Sequence, residues 1–205
     1  MPSLVDSLME QLENKGAVDQ IAGKLGIPPG KASSALSAAV PTIMAGLAKN
    51  AQKPEGAAAL AGALEKDHDG SVLDEDEYFD RYQEKKGDKI LGHVFGGKEA
   101  EVETQVSALS GLNPAQGADL MKMLAPLVMG YLGKEKKQGG LDIGSLAGML
   151  GGGGGNGGGG GLNLPGGLGD LLEGLGGGGT TTVSGGKKKS SGGLGGLLGK
   201  FMKKK

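Results

Sequence analysis

The chain repeats part of itself. Residues 20–49, moved forward by 85 positions, fall on residues 105–134 without a gap. Seven positions are then identical: Gln20/Gln105, Gly26/Gly111, Pro29/Pro114, Pro41/Pro126, Met44/Met129, Leu47/Leu132 and Lys49/Lys134. Ile21/Val106, Ile27/Leu112 and Ile43/Val128 are conservative. Most of these are residues that start, kink or stop helices, or that fill a core. They include no acid–base pair and no set of metal ligands. The repeat therefore points to a duplicated helical scaffold and away from a duplicated active site.

The punctuation locates the helices. Residues 3–14 read as an amphipathic helix, capped by Ser3 with Asp6 three residues on and striped by Leu4, Leu8 and Leu12. Residues 17–25 read as a second helix, stopped by Gly26. Pro29 suits the first turn of the next, because it has no N–H to leave unpaired and its φ is preset. That helix runs to about Asn50 with Pro41 inside it, where a proline removes a backbone bond and kinks the axis. The second copy repeats the pattern: a helix over 98–110, Gly111 as its stop, Asn113-Pro114 as the next start, and a long helix over 114–133 with Pro126 at the matching place. Between the copies, residues 54–66 read as an Ala-rich helix, an acidic linker spans 65–88, and DKILGHVF reads as a short helix capped by Asp88. The expected fold is all-α. It comprises two helical units, about 17–50 and 102–135, with proline-kinked long helices in a pseudo-twofold core over residues 1–138, and a glycine-rich tail over 139–205.

Of the 45 glycines, 29 lie after residue 138, so the core must come from the preceding part. With three Tyr, three Phe and no Trp, that core is built from Leu, Ala, Ile, Val and Met. The chain also lacks the aromatic platforms that single-stranded nucleic acid stacks on. No cysteine is present, which excludes disulfides and cysteine-ligated metals. No apolar run approaches a membrane span, and the N-terminus MPSLVDSLMEQLENKG has acids where a secretion signal is apolar. A cytoplasmic location is the default expectation, with signal-independent export left open.

The net charge of −1 selects no partner, but its distribution is uneven. Residues 65–84 carry nine acids against Lys66 and Arg81, and residues 187–205 carry seven lysines and no acid. The tail also holds three apolar octets at helical spacing: Ile143, Leu146, Ala147 and Leu150; Leu168, Leu171, Leu172 and Leu175; and Leu194, Leu197, Leu198 and Phe201. Burying a large apolar side chain contributes about 1.5–3 kcal/mol. Ordering each backbone residue opposes this by about 1–2 kcal/mol. An octet therefore orders only when docked on something, yet three on flexible tethers can act together by raising effective concentration.

Several stretches invite a chemical reading. EKDHDGSVLDED, residues 65–76, partly matches a calcium loop, with Asp67, Asp69, Asp74 and Asp76 as candidate Ca2+ ligands. Its ends fail: Glu65 stands where Asp is usual, and Asp76 where a bidentate Glu is needed. The competing reading is a solvated acidic loop whose Asp and Ser cap helix ends. GHVFGGK, residues 92–98, follows a phosphate-binding loop for seven places, but Glu99 takes the place of the magnesium-binding hydroxyl and no strand precedes it. A helix stop at Gly96-Gly97 explains it better. His68 and His93 are the only histidines and lack a partner at metal-ligand spacing on one helix face. Beside Val94 and Phe95, His93 reads as a packed or capping residue. Ser33, Ser34, Ser107 and Ser110 lack a local base. No catalytic constellation and no cofactor site emerge.

The stretches LGIPPGKASSALSAAVPTIMAGLAKNA, ALEKDHDGSVLDE, DKILGHVFGGK and SGLNPAQGADLMKMLAPLVMGYLGK resemble the YidB-like bacterial proteins, a domain of unknown function. The resemblance covers residues 1–150, and Leu- and Gly-rich tails look typical of that family, whereas the basic ending FMKKK departs from it. It implies an all-α bacterial protein with no agreed activity and no active-site residues to carry over. The leading expectation is a non-enzymatic scaffold that associates with copies of itself through its tail. The interacting residues would be Leu146, Leu150, Leu168, Leu171, Leu172, Leu175, Leu194, Leu197, Leu198 and Phe201. The alternative is a cation-responsive or membrane-surface module, using the acidic loop as sensor or the basic tail as anchor on an anionic surface. Specific nucleic-acid binding is not expected.

Overall fold

Two long proline-initiated helices form the centre of the molecule, and the rest packs around them. The computed structural model describes residues 3–68, 70–74, 78–82 and 84–139. Among these residues there are eight α-helices, two short 3-10 segments and no strand. The helices are α1 (Leu4–Asn14), α2 (Ala17–Leu25), α3 (Pro29–Ala51), α4 (Pro54–Lys66), α5 (Tyr78–Arg81), α6 (Glu84–Phe95), α7 (Glu99–Ser110) and α8 (Pro114–Lys137). The 3-10 segments are Ser71–Asp74 and Gly96–Lys98.

The middle of α3, residues 38–48, and of α8, residues 123–133, is buried all round. A helix apolar on every side belongs at the centre of a core, and α3 and α8 pack against each other there. The outer helices show a single buried face: Leu8 and Leu12 on α1, Ile21 on α2, Val102 and Val106 on α7. The core is aliphatic and Met-rich as composition requires, with Phe95, Tyr78, Phe79 and Tyr131 as its large aromatics.

Local chemistry accounts for the boundaries. Ser3 and Asp6 exchange side-chain and backbone hydrogen bonds in a capping box at the start of α1. Gly26 (φ +62°) and Gly111 (φ +65°) end α2 and α7 in the left-handed region. Past these stops, the Ile27 and Leu112 amides each donate back into the helix, to the carbonyls of Ala22 and Ser107, at 2.9 Å in both cases. Pro29 and Pro114 open α3 and α8, and Asn113 caps α8 through a reciprocal bond with Gln116. The two starts also reach across to the opposite stops: Lys31 Nζ donates to the Gly111 carbonyl at 3.1 Å, and Gln116 Nε2 to the Leu25 carbonyl at 3.0 Å.

Both long helices continue through their interior prolines. Pro126 has no N–H for the Lys122 carbonyl. The backbone of Gly87, on α6, covers that carbonyl so closely that a Cβ at position 87 would overlap it.

Two boundaries differ from expectation. α6 begins at Glu84, so Asp88 lies within the helix and caps nothing. Asp88 and Glu84, one turn apart, instead pair with Lys122 on α8 at 3.0 and 3.1 Å. α8 runs to Lys137, four residues past the expected end. Its last turn carries Lys134, Lys136 and Lys137, where cations favour the helix dipole.

Candidate functional site

α4 cannot seal the surface it packs on, because the side chains along one of its faces are too small. Gly56, Ala59, Ala63 and Asp67 recur at helical spacing on that face, and α6 supplies the facing wall with Lys86, Lys89, Ile90 and His93. Between them lies a cleft of about 600 Å³, with Leu47 and Asn50 of α3 and Met129 of α8 also lining it. Clefts of this size are typical of ligand sites, and so is the composition: an apolar floor with a few polar groups above it.

Both walls are tied to the long helices. Asn50 Nδ2 donates to the carbonyls of His93 and Val94 at 3.1 and 2.9 Å, capping the last turn of α6. Gly56 sits so close to the Asn50 carbonyl that a Cβ there would overlap it, which fixes the start of α4. At the other end, Lys136 Nζ donates to the Ala61 carbonyl and pairs with Glu65. Gly133 gives the His68 carbonyl room against α8. Ala61 and Glu65 lie about half a turn round α4 from Ala59 and Ala63, so Lys136 grips α4 on the side turned away from the cleft.

The charged groups in the cleft are Lys86, Lys89 and Asp67. Burial holds the His68 imidazole below its usual pKa; Lys86 adds to this and Asp67 opposes it. His68 is therefore neutral at pH 7, and the rim is net positive. Such an arrangement can hold an amphipathic ligand with anionic groups. Among the described residues no group of three or more His, Cys, Asp or Glu could hold a metal ion.

A second electrostatic centre surrounds Lys122. Burial draws its pKa down, but hydrogen bonds with Asp88 and Glu84 more than reverse this and hold the ammonium well above its usual range. Burial pushes the Glu103 carboxyl up, and nearby Glu99 adds to it. The Oε1 atom of Glu103 is buried without a hydrogen-bond partner. Glu99 is itself raised, by burial first and by Asp88 second.

The structure places the sequence-derived candidates unevenly. Asp67 caps the C-terminus of α4 and lines the cleft, while Asp74 is exposed at the end of the 3-10 segment. Asp69 and Asp76 lie outside the described residues, as do all three octets and their residues Leu146, Leu150, Leu168, Leu171, Leu172, Leu175, Leu194, Leu197, Leu198 and Phe201. His93 is not a packed residue: it is exposed on α6, with only its neighbours Val94 and Phe95 buried. His68 and His93, far apart in sequence, line the same cleft. The phosphate-loop lookalike is a helix stop, with Gly96 at φ +56° in a 3-10 turn between α6 and α7. The hydroxyls of Ser34, Ser107 and Ser110 donate to carbonyls one turn back in their own helices.

Sequence reasoning missed Asn50, Lys86, Lys89 and Ile90. One signal was available for the wall opposite them: a Gly/Ala face on α4 leaves space that some larger group must fill.

The family model described as "Bacterial protein of unknown function (DUF937)" matches residues 6–135. No curated protein and no solved structure matches the chain. The matched span runs from α1 to the last turn of α8 and takes in both copies of the repeat, both walls of the cleft and the Lys122 centre. The chain accordingly belongs to the DUF937 family of bacterial proteins of unknown function.

Proposed function

We propose that this protein is a non-enzymatic scaffold, in which a duplicated helical core carries a multivalent Gly/Leu-rich tail that associates with copies of itself. The observation that carries this is how completely the core hides its apolar residues. Among the described residues Leu109, at 39% exposure, is the single exposed large hydrophobic side chain. A core so sealed has no broad apolar patch for association. The apolar surface available for partners is then the cleft and the leucines of the tail.

The duplication supports the same division of labour. The matched glycine stops, the equal 2.9 Å bonds behind them and the paired proline starts fit two related units. The reciprocal reach of Lys31 and Gln116, which correspond under the 85-residue shift, fits a pseudo-twofold axis between them. The repeat then serves the fold. What differs between the copies, namely the α4–α6 insertion and the tail, is where binding belongs. The stretch that resembles a calcium loop also contributes to packing, because Leu73 is buried and Val72 packs on Gly130.

Light scattering of the full chain at low salt tests the proposal. Mass should rise with protein concentration, and replacing the octet leucines by serine should abolish the rise. A full chain that stays monomeric at high concentration, with no effect of those substitutions, removes it. A calcium titration in the same assay separates the scaffold from the cation-responsive alternative: assembly that needs calcium would favour the latter.

A further inference from the structure

We propose that the α4–α6 cleft is the receptor for the acidic leucine octet, residues 168–175 of the same chain. This goes beyond self-assembly and does not depend on it.

Three observations single out this occupant. The first is where the tail starts. α8 ends at Lys137, and Lys136 is already bonded to α4, the helix that forms one wall of the cleft, on the side turned away from it. The tail has only to pass round one helix, about 10–12 Å across, to reach the cleft. The second is reach. Residues 140–167 make a glycine-rich tether of 28 residues, whose root-mean-square span is about 26–32 Å. That is long enough to lay the octet along α4 in either direction, and short enough to hold it at millimolar effective concentration. The first octet hangs on residues 140–142 alone, at most about 14 Å of chain from Gly139 to Ile143, which leaves little slack to align with the stripe. The third lies beyond a much longer tether.

The third observation is charge. Residues 168–175, LGDLLEGL, contain Asp170 and Glu173 and no cation, a net charge of −2. The cleft offers Lys86 and Lys89 at its rim against the one carboxylate of Asp67. The corresponding octet at 194–201 carries Lys200 and no acid, and the one at 143–150 carries no charge. Leu168, Leu171, Leu172 and Leu175 have the spacing that would put them on one side of a helix, and the Ala59–Ala63 stripe leaves space for side chains of that size. A docked octet would bury its leucines against Leu60 and Ile90, while the rim lysines reach over it toward the acids. The octet cannot be helical alone in water, so docking and folding occur together.

The absence of cysteine makes the test direct. The three octets share a glycine at the same place, directly after the first apolar residue: Gly144, Gly169 and Gly195. Each is replaced in turn by cysteine in a full chain that also carries Ala59→Cys, and disulfide formation under mild oxidation is followed on the monomer at low protein concentration. Circular dichroism checks that each variant keeps its helix content. The Gly169→Cys chain should cross-link several-fold faster than the other two. Adding Leu171→Ser and Leu172→Ser should remove its advantage, and raising the salt concentration should reduce it. Equal rates for the three positions would show tethering without recognition and overturn the proposal. A fastest reaction at Gly195 would overturn the charge argument, and cross-links between chains only would overturn docking in the same chain. Because the product is read on the monomer, its failure is distinct from a failure to assemble.

Discussion

Glu103 carries the most exposed weakness in the packing. Its Oε1 is buried without a partner, and its carboxyl is pushed up by burial and by Glu99. A carboxyl raised in the folded state binds its proton more tightly there than in the unfolded chain. Its contribution to stability is therefore full below the ordinary carboxylate pKa and is lost as pH rises through the raised value. Glu103→Gln should flatten this fall: urea denaturation of the wild type should lose stability between mildly acidic and neutral pH, and the variant should lose less. Gly87 offers a second test. A methyl group there would overlap the Lys122 carbonyl left without its helical donor by Pro126. Gly87→Ala should destabilise the fold by about 1–3 kcal/mol, even though alanine is the better helix former. The backbone reason for Gly87 is not legible in EKKGDKI, where a glycine among charges reads as a break. The contact that requires it comes from a residue 35 positions further along the chain.

At the scale of the elements, helix ends are the legible part. Gly26, Gly111, Pro29, Pro54 and Pro114 act locally, and the helices start or stop where those residues dictate. The start of α6 is harder to see, because its first turn is polar and its carboxylates Glu84 and Asp88 serve Lys122 on another helix. The cleft is not legible at all. Its walls are adjacent only because α3 and α8 bring α4 and α6 together, and its polar residues share no motif. Asn50 is the residue that ties those elements, so Asn50→Ala should remove the bonds to His93 and Val94 and destabilise by about 1–3 kcal/mol in urea denaturation. Filling the cleft is the opposite experiment. Ala59 is exposed on its wall, so Ala59→Leu should change stability by no more than about 0.5 kcal/mol. In competition with the octet it should prevent docking while leaving the core intact.

At the scale of the whole molecule, the all-helical class follows from the repeat and its punctuation, and the family match spans both copies. The same repeat says little about activity, because what its copies share is helix punctuation and core apolar positions. The proposed scaffold assigns function instead to the unrepeated parts: an insertion that leaves a basic-rimmed cleft, and a tail with three apolar octets. Among the described residues no helix is long and apolar enough to cross a membrane. The most direct measurement is sedimentation velocity on the full chain over a wide concentration range, beside a chain in which the leucines of all three octets are replaced by serine. Association through the tail predicts a sedimentation coefficient that climbs with concentration in the first and stays at the monomer value in the second. Identical, concentration-independent monomer values for both would contradict it.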